Sequence, residues 1–166
     1  MSTTLEKLAT RAQKDRLVKK PVPLPTGDDL HFPDGTPAHK DLRAWASFDR
    51  FVHVFVAGSP VDLEFVDPDG QILADTITDV LKDTMIEDQR DELDEDEETL
   101  EYLEERVEEL SEEFPGWAIR LDRDTTPDHI LWFPVDEPPR VLVLKHDDVH
   151  KNTSLADAME KRLLEK

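Results

Sequence analysis

The chain has 166 residues, 37% hydrophobic and 36% charged, which is enough to bury the core of one domain. Its 40 acidic and 20 basic residues give a formal net charge of -20, which repels nucleic-acid phosphates and anionic lipids. No apolar run reaches the roughly 18 residues of a membrane span, and residues 1–20 lack the apolar core of a signal peptide. The absence of cysteine excludes disulfides and thiolate metal sites. We therefore expect one cytoplasmic domain, residues 1–166, that binds neither nucleic acid nor membrane.

The N-terminal part is predicted to be a helix followed by a proline-rich connector. Leu5, Leu8 and Ala12 recur at helical spacing, which predicts an N-terminal helix within residues 1–20. The prolines that follow cannot continue a helix, so residues 21–36 are predicted to be an extended connector.

A second helix and a hairpin are predicted next. Thr36 and Pro37 are typical of a helix N-terminus, which predicts a helix from Pro37 to about Arg50. Residues 51–57 are rich in strand-forming side chains but could also prolong this helix. Residues 61–66 alternate in polarity, residues 67–70 (Asp-Pro-Asp-Gly) indicate a tight turn, and residues 71–74 are predicted to return as the second strand.

Residues 77–114 form a predicted acidic helical segment. Apolar residues recur every seventh position with a second column beside them, at Ile86, Leu93, Leu100, Leu103, Val107, Leu110 and Phe114. Between Glu87 and Glu113 there are 16 acidic residues and two basic ones, a local net charge of -14. The pattern leaves open whether this segment is one helix or a helical hairpin.

The C-terminal part is predicted to be an antiparallel meander and a terminal helix. Strands are expected at Trp117–Leu121, Ile130–Phe133 and Arg140–Leu144, with residues 122–128 and 134–139 as loops. Residues 152–154 are expected to cap the last helix. The predicted class is α+β, with N-terminal helices, an antiparallel sheet of about five strands, an acidic helical insert and a C-terminal helix.

Several motifs suggest chemistry, but a structural explanation is favoured for each. Residues 146–150 (His-Asp-Asp-Val-His) resemble a zinc-protease motif, yet they follow a strand and carry the shorter aspartate, so a solvated loop is expected. Asp67 and Asp122 each begin an acidic turn, but neither turn has the glycine at position six and the glutamate at position twelve that a calcium-binding loop needs. The tryptophans Trp45, Trp117 and Trp132 are expected to pack in the core. No nucleophile elbow or glycine-rich phosphate loop is present, so we expect no enzyme activity, no metal and no cofactor.

The acidic segment remains as the candidate site. Lysines would normally be interspersed on a merely solvated helix face, whereas acids four residues apart repel each other here. A binding surface and a solvated face are about equally supported by the charge pattern alone. The candidate partner-binding residues are seven glutamates: Glu97, Glu98, Glu101, Glu104, Glu105, Glu108 and Glu109.

Two stretches of the chain resemble a known family. Residues 42–49 (Leu-Arg-Ala-Trp-Ala-Ser-Phe-Asp), preceded by the proline-rich stretch, are similar to the "LPP…LRAWLAFD" helix of the SUKH superfamily. The strands near residues 130–144, followed by residues 154–159 (Ser-Leu-Ala-Asp-Ala-Met), resemble the ending of the same family. Many members of that family are bacterial immunity proteins, non-enzymatic modules that neutralise a toxin, often a nuclease.

The resemblance and the charge lead to the same functional hypothesis. An acidic surface can steer towards and cover a toxin whose Lys and Arg side chains bind phosphate. The sequence therefore predicts an immunity-type inhibitor of a basic toxin. The alternative is an acidic nucleic-acid mimic or regulatory protein that binds a DNA-binding host protein. A third, less favoured hypothesis is an enzyme that uses the carboxylates of Asp122 and Asp124. The oligomeric state stays open.

Overall fold

The computed structural model describes residues 4–24, 29–56, 58–86, 97–121, 128–134, 137–145 and 148–164. These residues contain the helices α1 (Leu5–Asp15), α2 (Lys40–Ala46), α3 (Ile77–Met85), α4 (Glu97–Glu113) and α5 (Leu155–Leu164). They also contain the strands β1 (Phe51–Val56), β2 (Ser59–Glu64), β3 (Asp75–Thr76), β4 (Trp117–Arg120), β5 (Asp128–Phe133), β6 (Arg140–Lys145) and β7 (Asp148–Ser154). No helix in the described part of the chain is both long and apolar enough to cross a membrane.

The strands form two antiparallel sheets. β1 and β2 make a hairpin in which Phe51 lies opposite Glu64 and Val56 lies opposite Ser59. The other strands form a five-stranded sheet in the order β3-β4-β5-β6-β7, so each pairs with the next along the chain. The predicted α+β class, with its five-stranded antiparallel sheet and its C-terminal helix, is confirmed.

Alternate residues of the five-stranded sheet enter two separate hydrophobic clusters because successive side chains point to opposite faces. On one face, Leu131 and Phe133 pack with residues of α1, α2, β1, β2 and α5. On the other face, Ile130 and Trp132 pack with residues of α3 and α4. The five-stranded sheet is therefore the middle layer, and α4 lies on the opposite side from the N-terminal helices and the β1–β2 hairpin.

The N-terminal helix is shorter than the predicted range, and the connector belongs to the core. α1 ends where Arg16 takes a left-handed conformation, with φ 53°. In the connector, Leu30 and Phe32 are buried, and the ring of Phe32 stacks on that of Trp117 with centroids 5.9 Å apart. The connector thus contributes apolar surface to the first cluster rather than acting as a spacer.

The predicted start of the second helix is wrong. His31 forms a β-bridge with Pro37, and the Ala38 N–H donates to the Leu30 carbonyl, so the chain around Pro37 is extended. The helix begins at Lys40, where the His39 ring accepts a hydrogen bond from the Asp41 N–H. It ends at Ala46, and residues 51–56 form a strand instead of prolonging it.

The predicted hairpin of residues 61–66 and 71–74 forms only next to its turn, where the Leu73 N–H donates to the Phe65 carbonyl and the Asp67 N–H to the Gln71 carbonyl. The turn forms, because Asp67 Oδ1 accepts the N–H groups of Asp69 and Gln71, each at 2.9 Å. Beyond the turn, however, Val66 and Ile72 form only an isolated bridge. β2 pairs along its whole length with β1, while the returning segment bonds both to Phe65, which directly follows β2, and to His31 of the connector.

The acidic segment contains two helices that pack against each other. Thr78, at the start of α3, donates its hydroxyl to Ser111, near the end of α4, at 2.9 Å. This contact excludes one continuous straight helix through residues 77–114. The predicted apolar columns are confirmed where they are described, since Leu103, Val107, Leu110 and Phe114 are buried. Leu93 lies outside the described residues.

The C-terminal part contains one strand that the sequence did not predict. Residues 148–150, expected in a loop, belong to β7, which pairs with β6 through residue 154. Ser154 nevertheless caps α5 as expected, accepting the Asp157 N–H at 3.1 Å. The three strands predicted before it are confirmed as β4, β5 and β6. Most of the predicted loop at residues 122–128 lies outside the described residues.

Candidate functional site: the acidic face of α4

The acidic face of α4 is fixed by the buried side of the same helix. Leu103, Val107 and Leu110 lie on one stripe and are buried in the cluster beneath α3 and the sheet. The seven predicted partner-binding residues lie on the remaining surface and are all exposed: Glu97, Glu98, Glu101, Glu104, Glu105, Glu108 and Glu109. We refer to these seven glutamates as the acidic face.

Nine of the 17 residues of α4 are glutamates, and the one basic residue of the helix is Arg106. Its guanidinium donates to Glu109 at 2.9 Å and to Asp148 of β7 at 2.8 Å. Arg106 thereby links the helix to the edge strand of the sheet. The glutamates of α4 thus outnumber its basic residues nine to one.

An exposed tyrosine lies at the edge of the acidic face. Tyr102 is 52% exposed, and helix geometry makes Glu98, Glu105 and Arg106 its surface neighbours. Tyrosine is enriched among the residues that dominate protein–protein binding energies, since it offers a large rigid surface and a polar tip. The charge pattern alone did not single out this residue, although it is the one tyrosine in the chain and lies among the glutamates of α4.

The C-terminal end of α4 is held closely against the sheet. The Gly116 carbonyl accepts the N–H of Ile77, the first residue of α3. Gly116 has φ +135°, and a Cβ at this position would collide with the Phe133 carbonyl oxygen of β5. The indole N–H of Trp132 donates to the Pro115 carbonyl at 3.1 Å. These contacts fix the C-terminal end of α4 against the sheet.

A second polar cluster lies on the other side of the sheet and was not predicted. His53 Nε2 lies 2.8 Å from Asp49 Oδ2, and His53 Nδ1 lies 2.7 Å from Asp62 Oδ1. Asp49 is almost fully buried, and its Oδ1 also accepts the N–H groups of Val22 and Phe51. Because ionised carboxylates only accept hydrogen bonds, the arrangement fits an imidazolium that donates to both.

The two carboxylates control the charge of His53. Burial acts to lower the pKa of His53, but the hydrogen bonds and charges of Asp49 and Asp62 outweigh it and raise the pKa above the ordinary 6.5. Both ring nitrogens are engaged, so this histidine is not placed to act as a base or a metal ligand. The cluster joins the connector, β1 and β2, which is a structural role.

The tryptophans and the remaining His and Asp motifs do not form a second candidate site in the part of the chain that the structure describes. Trp45 and Trp132 are buried as predicted, and Trp117 is partly buried against the first cluster. His146, Asp122 and Asp124 lie outside the described residues, and His150 lies on a strand. Within the described ranges, no group of three His, Asp or Glu side chains is placed to hold a metal ion.

Comparisons with known proteins give no relative for this chain. No protein-family model matches it, and neither a curated protein nor a solved structure matches it.

Proposed function

We propose that this protein is a non-catalytic binding protein of the immunity type, which inhibits a basic toxin by covering the toxin's cationic surface with the acidic face. The observation that carries the proposal is the acidic face itself. Seven exposed glutamates lie on one helix, and the helix carries a single basic residue. The resemblance of residues 42–49 and 154–159 to the SUKH superfamily supports the same class.

Electrostatics explain how such a face would act. A concentrated field of one sign steers an oppositely charged partner and accelerates its association. A nuclease toxin binds phosphate through Lys and Arg, so its active-site surface would be the preferred target of the glutamates. Once docked, the helix would exclude nucleic acid by occupying the same positive surface.

The dimensions of the acidic region are compatible with one part of a protein interface. A helix of 17 residues is about 26 Å long at 1.5 Å per residue. On the neighbouring α3, Asp79 and Asp83 are also exposed, which extends the acidic region beyond α4. Tyr102 supplies an aromatic side chain beside it. Aromatic contacts of this kind increase affinity, whereas charge alone mainly increases the association rate.

Co-purification with the product of the adjacent gene tests the proposal. We expect a complex that forms at low salt and weakens when four glutamates of the acidic face, Glu101, Glu104, Glu105 and Glu108, are changed to Gln. A matched control changes four exposed acids elsewhere: Glu6→Gln, Asp69→Asn, Glu137→Gln and Asp157→Asn. No complex with the wild-type protein at low salt would refute the immunity proposal. Capture of a DNA-binding host protein instead would favour the nucleic-acid-mimic alternative.

A further inference from the structure

A cavity of about 520 Å³ lies on the side of the sheet opposite the acidic face. Its walls come from β5, β6 and β7 of the large sheet, from the β1–β2 hairpin and from α5. This volume falls within the range of roughly 300–1,000 Å³ that is typical of small-molecule sites. The cavity takes no part in the proposed function above.

The lining of the cavity is cationic, although the protein is strongly acidic. Four of its lining residues are histidines or lysines: His129, His150, Lys151 and Lys161. No carboxylate among the described residues lines the cavity. Acidic residues outnumber Lys and Arg two to one in the whole chain, so a cavity lined by basic residues has the opposite charge to the protein as a whole.

The strand register places two of these basic residues, His129 and Lys151, in one row. His129 lies opposite Val143, and Val143 lies opposite Lys151, so the three residues form one row across β5, β6 and β7. Residues paired in this way share a face of the sheet. At the next position Leu144 lies opposite Val149, which leaves His150 as an extra residue in β7. Such a bulge re-aims side chains, and it accounts for two consecutive residues, His150 and Lys151, lining one cavity.

The β1–β2 hairpin adds an aromatic residue to the lining. Phe55 of β1 lines the cavity, and the guanidinium carbon of Arg162 lies 5.5 Å from the centre of its ring. At the tip of the hairpin, Gly58 also lines the cavity, and a Cβ on it would meet nothing within 4 Å. The cavity thus combines two lysines and two histidines with an aromatic residue in one lining.

We propose that this cavity binds a small phosphate monoester. The two lysine ammonium groups and the exposed imidazole of His150 offer more donors than a carboxylate can accept, whereas a phosphate dianion offers three oxygens and a charge that matches the two lysines. The ring of Phe55 and the side chain of Val143 would contact the organic part of such a ligand. Because the cavity and the acidic face lie on opposite sides of the sheet, either proposal can fail without affecting the other.

Titration of the full chain with adenosine monophosphate tests this proposal, with adenosine as the uncharged comparison. Amide chemical shifts report where each compound binds. We expect saturable shifts at Gly58, Val143 and Lys151 with the monophosphate and none with adenosine. Changing Lys151 and Lys161 together to Gln should weaken binding roughly tenfold or more, since each removes a charged hydrogen-bond donor.

The matched control removes the same two charges elsewhere, by Lys20→Gln and Lys82→Gln, which are exposed and lie outside the cavity. This control should bind the monophosphate like the wild-type protein. The proposal is overturned if the monophosphate shows no saturable binding, if adenosine binds equally well, or if the control variant loses as much affinity as the cavity variant.

Discussion

Two buried carboxylates, Asp41 and Asp49, each connect segments that are distant in sequence. Asp41 of α2 accepts the N–H groups of Leu5 and Glu6 at 2.8 and 2.9 Å and so caps α1 from another helix. Asp49 accepts the Val22 N–H and holds His53. A helix N-terminus carries N–H groups without partners inside the helix, which is why a carboxylate is stabilising there.

The cap made by Asp41 predicts a stability loss. Asp41→Asn replaces one of the two accepting oxygens by an NH₂ group, which leaves a buried N–H of α1 without its partner. We expect the free energy of unfolding to fall by about 1–3 kcal/mol in urea denaturation. Asp34→Asn is the control, since Asp34 is exposed and asparagine also accepts in such turns. Equal effects of the two substitutions would contradict the role of Asp41.

The His53 cluster predicts a pH dependence of stability. The pKa of His53 is raised in the folded protein, so its stabilising contribution is complete below the ordinary value of about 6.5 and is lost as pH rises through the raised pKa. The difference in unfolding free energy between wild type and His53→Gln should therefore be largest near pH 6 and shrink towards pH 9. Urea denaturation across that range measures it. A difference that grows with pH would contradict the imidazolium assignment.

At the scale of elements, the junction of α4 with β4 depends on a single glycine. Gly116 has a positive φ, and its α-hydrogens face the Phe133 carbonyl at a distance that leaves no room for a methyl group. Side chains other than glycine are strained at this φ, and here the steric contact adds to the strain.

Gly116→Ala should therefore lower the free energy of unfolding by about 1–3 kcal/mol or more. Gly35→Ala is the matched control, because Gly35 also has a positive φ but a Cβ there would meet nothing within 4 Å. We expect the control to cost about 1 kcal/mol. Thermal or urea unfolding compares the two. If both substitutions cost the same, the close approach of α4 and β5 is not important for stability.

Local sequence patterns predicted the positions of the helices and strands better than they predicted which strands pair. The buried stripe of α4 was predictable because helical periodicity is a local property, and the meander was predictable because short connections favour neighbouring strands. The pairing of β1 with β2 was not, since the strong turn at residues 67–70 indicated a different hairpin. That turn forms with a short pairing beside it, but its returning segment also bonds to His31, a contact across about forty residues that no local pattern contains.

The distinction between local patterns and long-range contacts also applies to the acidic face, the His53 cluster and the cavity. The acidic face follows from charge and spacing alone, and the structure exposes all seven glutamates. The His53 cluster joins residues 49, 53 and 62, and the cationic cavity joins residues from 55 to 161, so both depend on long-range folding. Tyr102 could have been found by asking which large side chain lies among the glutamates of α4.

At the scale of the whole molecule, charge is separated across the sheet. α4 carries the acidic face on one side, and the cationic cavity lies on the other. Glutamates one turn apart on α4 repel each other by a few tenths of a kcal/mol per pair, and this repulsion lowers the free energy of unfolding of the native protein. Changing Glu101, Glu104, Glu105 and Glu108 to Gln should therefore leave the unfolding free energy unchanged or slightly higher, because Gln is nearly as good a helix former.

The association rate with the basic partner, measured by stopped flow from 0.1 to 1 M salt, tests the acidic face most directly. The Debye length falls from about 10 Å to about 3 Å over this range, so charge steering is screened. We predict that association of the wild-type protein slows by about tenfold or more, while dissociation changes less. The four-Gln variant should associate slowly at all salt concentrations, and the control with four acids changed elsewhere should behave like wild type. An association rate that is independent of both salt and the four substitutions would contradict the account.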